Sequence, residues 1–179
     1  MDELLPFGDM DYLVLLALLL FARGMDFLST WVATPHLVLE GNPIAKWLGW
    51  KWGILINLAL CGFFASAPLP AVIIATTSLL VAARNFQGAW LMRSMGEQAY
   101  RFWMSERLAD GRMGLFVFCL FAQAVLMAGI GVALIWFGDT LLVPTGVGVG
   151  MIGYALAVVI YSLLSLWRGR ARSPSNGEI

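Results

Sequence analysis

The chain has 179 residues with eleven Lys and Arg, eleven Asp and Glu and one His, and 60% of it is hydrophobic against 12% charged. Apolar runs near bilayer length recur from Tyr12 to Trp167, which no water-soluble core accounts for. Zero net charge with no basic domain excludes a nucleic-acid binder, one histidine excludes a multi-histidine site, and Cys61 and Cys119, both within apolar runs, suggest neither a disulfide framework nor a metal clip.

An acidic N-terminus leads straight into the first predicted span, residues 12–34, so this span is expected to be retained and not cleaved as a signal peptide. Arg23, Asp26, Thr30 and Thr34 recur at three, four and four residues, one stripe of a helix, and Arg23 and Asp26 are spaced to pair within it. Thr34-Pro35 should end this helix, because the residue before proline disfavours helical geometry. The loop 35–50 carries Trp47, Leu48 and Trp50 around Lys46 and is expected at head-group level. Within it, Asn42-Pro43 has the form of an N-cap and first helical residue, while Glu40 can fold its carboxylate back over the end of the first span.

The second span, 51–67, contains Asn57 and is followed by the turn Ser66 to Pro70, which predicts close contact between spans two and three. Span three, 69–91, contains Arg84 and Asn85. The connection 93–112 has helical periodicity through Met92, Met95, Ala99 and Phe102 or Trp103, with Glu97 four residues before Arg101. It is expected as an amphipathic cytoplasmic helix that either extends span three or lies flat on the membrane, with Gly88 and Gly96 permitting a bend. Spans four and five, 113–137 and 141–167, close an all-α, five-helix integral membrane bundle, and residues 168–179 form a polar tail expected to be disordered. Gly146 and Gly150 in span five form a small-xxx-small pair, which packs against Ala124, Ala128 and Gly129 of span four or serves a homo-oligomer or membrane-protein partner.

Charge sets the expected orientation. With the N-terminus outside, ten of the eleven basic residues fall in or near the cytoplasmic half, and only Arg23 is left within span one. The C-terminus is then cytoplasmic, and a bacterial cytoplasmic membrane is the expected location, with lipid as the main partner. At about 1.5 Å per residue, Asp26 and Arg84 both lie roughly 21 Å from the outer ends of their spans, and Asn57 about 9 Å from the inner end of its own. In a hydrocarbon layer about 30 Å thick these are one level. Asp26, Thr30, Glu40, Asn42, Asn57, Arg84 and Asn85 are therefore the candidate ligand-binding residues, with Asp26–Arg84 pairing across spans and Gln123 set to satisfy Arg23. A divalent cation, if one is bound, would take oxygens of Asp26 and Glu40, with Asn42 beside them.

Asp26 followed by Ser29-Thr30, then Glu40-Gly41-Asn42-Pro43, resembles an uncharacterised family of small prokaryotic polytopic membrane proteins with an Asp-x-x-Ser/Thr-Thr element in the first span and a following Glu-x-Asn-Pro element. The resemblance covers about the first third of the chain and implies that Asp26 and Glu40 form one site, without implying an activity. Three function classes stay open: an ion or polar-solute binder or transporter, a structural or assembly subunit, and an intramembrane enzyme acting on lipid head groups. No Ser-His, Cys-His or HExxH element supports the last.

Overall fold

A computed structural model describes residues 4–107, 113–139 and 141–170, with side chains as far as Trp167. The described residues form six helices: α1 (Met10–Ala33), α2 (Pro43–Phe64), α3 (Pro68–Met95), α4 (Glu97–Arg107), α5 (Met113–Phe137) and α6 (Leu142–Arg170). All but α4 are long and apolar enough to cross a bilayer, as expected of a multi-pass membrane protein. Large apolar side chains, among them Phe21, Leu55, Phe118 and Trp136, are exposed along them, a surface suited to hydrocarbon.

Proline and glycine set the element boundaries. Asn42 caps α2 by accepting the Ile44 N–H at 3.0 Å, with Pro43 as first helical residue. The short helix thus begun is broken at Gly49 (φ 65°, ψ −173°), after which α2 continues as the second apolar segment. α1 ends at Ala33, directly before Thr34-Pro35. α3 runs on to Met95 and stops at Gly96 (φ 81°), so the bend falls at Gly96, while Gly88 stays inside the helix. α6 continues to Arg170, into the start of the expected tail; the rest of that tail, like the end of the 93–112 connection, lies outside the described residues.

The packing order is α2, α1, α3, α6, α5, with α3 at the centre. One face of α3 presents Ala71, Ala75, Ser78, Ala82, Asn85 and Ala89 at alternating four- and three-residue spacing, and all but Asn85 are buried. Small side chains at this spacing let α1 approach closely, and Leu19 and Ala22 of α1 are fully buried in the cluster that includes Ala71 and Ala75. The opposite face of α3 receives α6. The close contact expected between spans two and three is a correction: α2 touches α3 only sparsely, because α1 occupies the small-residue face of α3.

The Gly146–Gly150 face packs within the chain, but on α3 and not on Ala124, Ala128 and Gly129 of span four: a Cβ on Gly146 would come within 2.8 Å of Val72, and one on Gly150 within 2.8 Å of Thr76, both on α3. The α5–α6 contact is carried by Gly148 and Gly131 instead, where a Cβ on Gly148 would stand 2.5 Å from the Gly131 carbonyl oxygen. Thr77 Oγ1 lies 3.0 Å from the Gly150 carbonyl oxygen and 2.9 Å from the Ile73 carbonyl oxygen of its own helix, so its one proton is shared between α3 and α6.

Candidate functional site

The stripe on α1 brings Arg23 to the middle of a polar network between α1, α2 and α3. Its guanidinium pairs with Asp26 at 2.9 Å one turn along α1, donates to Ser78 Oγ of α3 at 3.0 Å, and donates through Nε to Asn57 Oδ1 of α2 at 2.8 Å. A second guanidinium nitrogen also reaches Asn57 Oδ1. Asn57 is held in place by its own amide, which donates to the Gly53 carbonyl at 2.8 Å. One cation thus ties three helices at one level.

About two turns toward α4, Asn85 of α3 donates to Ser29 Oγ and Thr30 Oγ1, both at 3.3 Å, and Ser29 in turn donates to the Asp26 carbonyl at 2.9 Å. Asp26, Thr30, Asn57 and Asn85 therefore belong to one connected set. Arg84 does not. The expected Asp26–Arg84 pair is absent: Arg84 donates to Gln123 of α5 at 3.2 Å, so Gln123 serves Arg84 and not Arg23. The reason is angular. Successive residues of a helix point about 100° apart, so Asn85 faces α1 while Arg84 faces the other side of α3.

The loop 34–42 folds back across this end of the bundle, where a Cβ on Gly41 would stand 3.7 Å from Tyr161 Cβ of α6. Glu40 is half-buried there, and its carboxylate accepts the Asn42 N–H at 2.7 Å. Burial pushes the Glu40 carboxyl above its usual range, against the opposing pull of the Asn42 and Gly41 N–H groups and of Lys46. Glu40 is also near enough to Asp26 for the two charges to act on one another. Asn42 contributes as a helix cap, its side-chain oxygen taken by Ile44. Among the described residues no group of three or more His, Cys, Asp or Glu side chains is placed to hold a metal, so a cation here would have Asp26 and Glu40 as its only carboxylates.

A second carboxylate fixes the same loop and is not evident in the sequence, where Glu97 reads as the partner of Arg101. From the start of α4, Glu97 accepts from Thr34 Oγ1 at 2.6 Å, from the His36 and Val38 N–H groups at 2.9 Å each, and stands 3.1 Å from His36 Nδ1. Leu37, between those two amides, has φ 56°, and the turn it makes aims both N–H groups at one carboxylate. Burial acts to raise the Glu97 pKa, but the Thr34 hydroxyl, the two N–H groups and the His36 ring outweigh it and lower the pKa from 4.5 to about 2. Every buried side-chain nitrogen and oxygen among the described residues has a hydrogen-bond partner. The chain matches no protein-family model, no curated protein and no solved structure.

Proposed function

We propose that this membrane protein binds a cation, an inorganic ion or a small positively charged solute, at Asp26 and Glu40 near the cytoplasmic face of a bacterial inner membrane. The orientation follows the charge bias: the end bearing the 34–42 loop and α4 carries Lys46, Lys51, Arg93, Arg101 and Arg107. One observation carries the reading. Two carboxylates from different elements, one in a span and one on a loop folded back over it, are brought into electrostatic reach, and while Arg23 neutralises Asp26, Glu40 has no ion-pair partner among the described residues, which leaves one negative charge for a bound cation to balance.

The competing reading is a structural or assembly subunit, favoured by the completeness of the network around Arg23, which needs no ligand to satisfy it. Thermal melting of the detergent-purified protein with Mg²⁺, Mn²⁺ and organic cations separates the two. On the binding reading at least one cation raises the melting temperature, Glu40→Gln abolishes that rise with little loss of basal stability, and the rise shrinks with acidification as the proton competes at Glu40. No response to any cation, with Glu40→Gln silent, leaves the structural reading.

A further inference from the structure

Arg84 lies about 24 Å along α3 from its first residue, within the apolar length of the helix. Its guanidinium meets a neutral group: it donates to Gln123 Oε1 of α5, and Gln123 Nε2 donates to the buried Tyr154 hydroxyl of α6 at 3.4 Å. No Asp or Glu occurs anywhere in α3, α5 or α6, and among the described residues no carboxylate stands at ion-pair distance from Arg84. Arg23, by contrast, has Asp26. A charge at this depth with no counter-charge is disfavoured in hydrocarbon, so the position calls for an anion from outside the chain.

The surroundings decide which anion. α3 and α5 each pack on α6 and hardly on one another, so Arg84 and Gln123 reach toward each other across a furrow with Tyr154 and Val158 of α6 at its base and Leu120 of α5 packed on them. On α5 the residues three and seven after Gln123, which share its side of the helix, are the exposed Leu126 and Ile130, apolar side chains suited to acyl chains more than to water. Long basic side chains reach toward head-group level, and lipid phosphates are drawn in toward them. A guanidinium offers the paired donors that a phosphate accepts.

We propose that Arg84, steadied by Gln123, holds the phosphate of an anionic phospholipid in the furrow between α3 and α5, a site separate from Asp26 and Glu40. The test is thermal melting of the full chain in detergent with added phosphatidylglycerol, phosphatidylcholine or inorganic phosphate. Phosphatidylglycerol is expected to raise the melting temperature by a few degrees and the other two to do much less. Arg84→Gln should remove that rise, and Glu40→Gln should leave it. Should Arg84→Gln fold poorly, Arg84→Met with Gln123→Leu and Tyr154→Phe removes the three linked polar groups together and should fold without responding to phosphatidylglycerol. A rise that survives in the Arg84 variants, an equal rise with phosphatidylcholine, or an equal rise with inorganic phosphate overturns the proposal, the last in favour of a soluble anion.

Discussion

Arg23 and Arg84 enter apolar helices with the same charge but meet different neighbours. Asp26, Ser78 and Asn57 share the Arg23 protons, whereas Arg84 meets Gln123. Double-mutant cycles should register this difference. Arg23→Gln with Asp26→Asn is expected to be non-additive by about 0.5–3 kcal/mol, and Arg84→Gln with Asp26→Asn additive within about 0.5 kcal/mol, as measured by unfolding in mixed micelles. Coupling of Arg84 to Asp26 at the size expected for Arg23 would contradict the geometry. Glu97 gives a pH-dependent test at the same scale. Its pKa is depressed from 4.5 to about 2 by the hydrogen bonds it receives, so the stabilisation is full above the unfolded value and is lost as pH falls from about 4.5 through about 2. Glu97→Gln should therefore melt below wild type at pH 6, and the two melting temperatures should converge as the pH approaches 2. A difference that is constant with pH would mean that the carboxylate charge is not what holds the loop.

Two glycines punctuate the elements at the α4 end of the bundle. Gly49 interrupts α2 and Gly96 separates α3 from α4; both have positive φ with extended ψ, a region that only glycine enters readily. A Cβ added at either would have no heavy atom within 4 Å, so substitution there tests backbone geometry without steric interference. Gly49→Ala and Gly96→Ala are each expected to cost about 1–3 kcal/mol, while Gly24→Ala, in an open helical position of α1, should be neutral or stabilising by up to about 1 kcal/mol. Equal effects at all three sites in a melting series would show that the breaks are not conformationally required. The element boundaries are largely legible in the sequence because proline and capping residues act locally: Thr34-Pro35 and Asn42-Pro43 end and begin helices where their chemistry requires. What is not legible depends on partners distant in sequence. Glu97 has Arg101 four residues on, yet the amides of residues 36 and 38 offer it more than an exposed i,i+4 pair does.

At the scale of the whole bundle, composition and apolar run length reveal the number of spans, whereas their neighbours are set by which faces carry small residues. The stripe from Ala71 to Ala89 is present in the sequence as an alternating four-three spacing, and it explains why α1 and not α2 lies against α3; reading the turn Ser66 to Pro70 as a sign of adjacency overlooks it. Depth along the spans puts Asp26, Asn57 and Arg84 at one level but carries no azimuth, which is why it joins Arg84 to a network on the other side of its helix. Orientation is the remaining global property, and it rests on charge alone. An odd number of spans puts the two ends of the bundle's chain on opposite sides, and Lys46, Lys51, Arg93, Arg101 and Arg107 gather at the end opposite Asp9, Asp11 and Asp139. Basic residues near short loops are retained on the cytoplasmic side, so a phosphatase-type reporter fused before Met1 should be active outside, and a fluorescent reporter that matures only in the cytoplasm should be active after Ile179. Replacing Lys46, Lys51 and Arg93 together by Gln should leave the helices intact but produce mixed orientation, because the bias that distinguishes the two ends is then weakened at the loops nearest the first two spans. A reversed signal at either terminus of the unaltered chain would overturn the orientation and, with it, the placing of Asp26 and Glu40 near the cytoplasm.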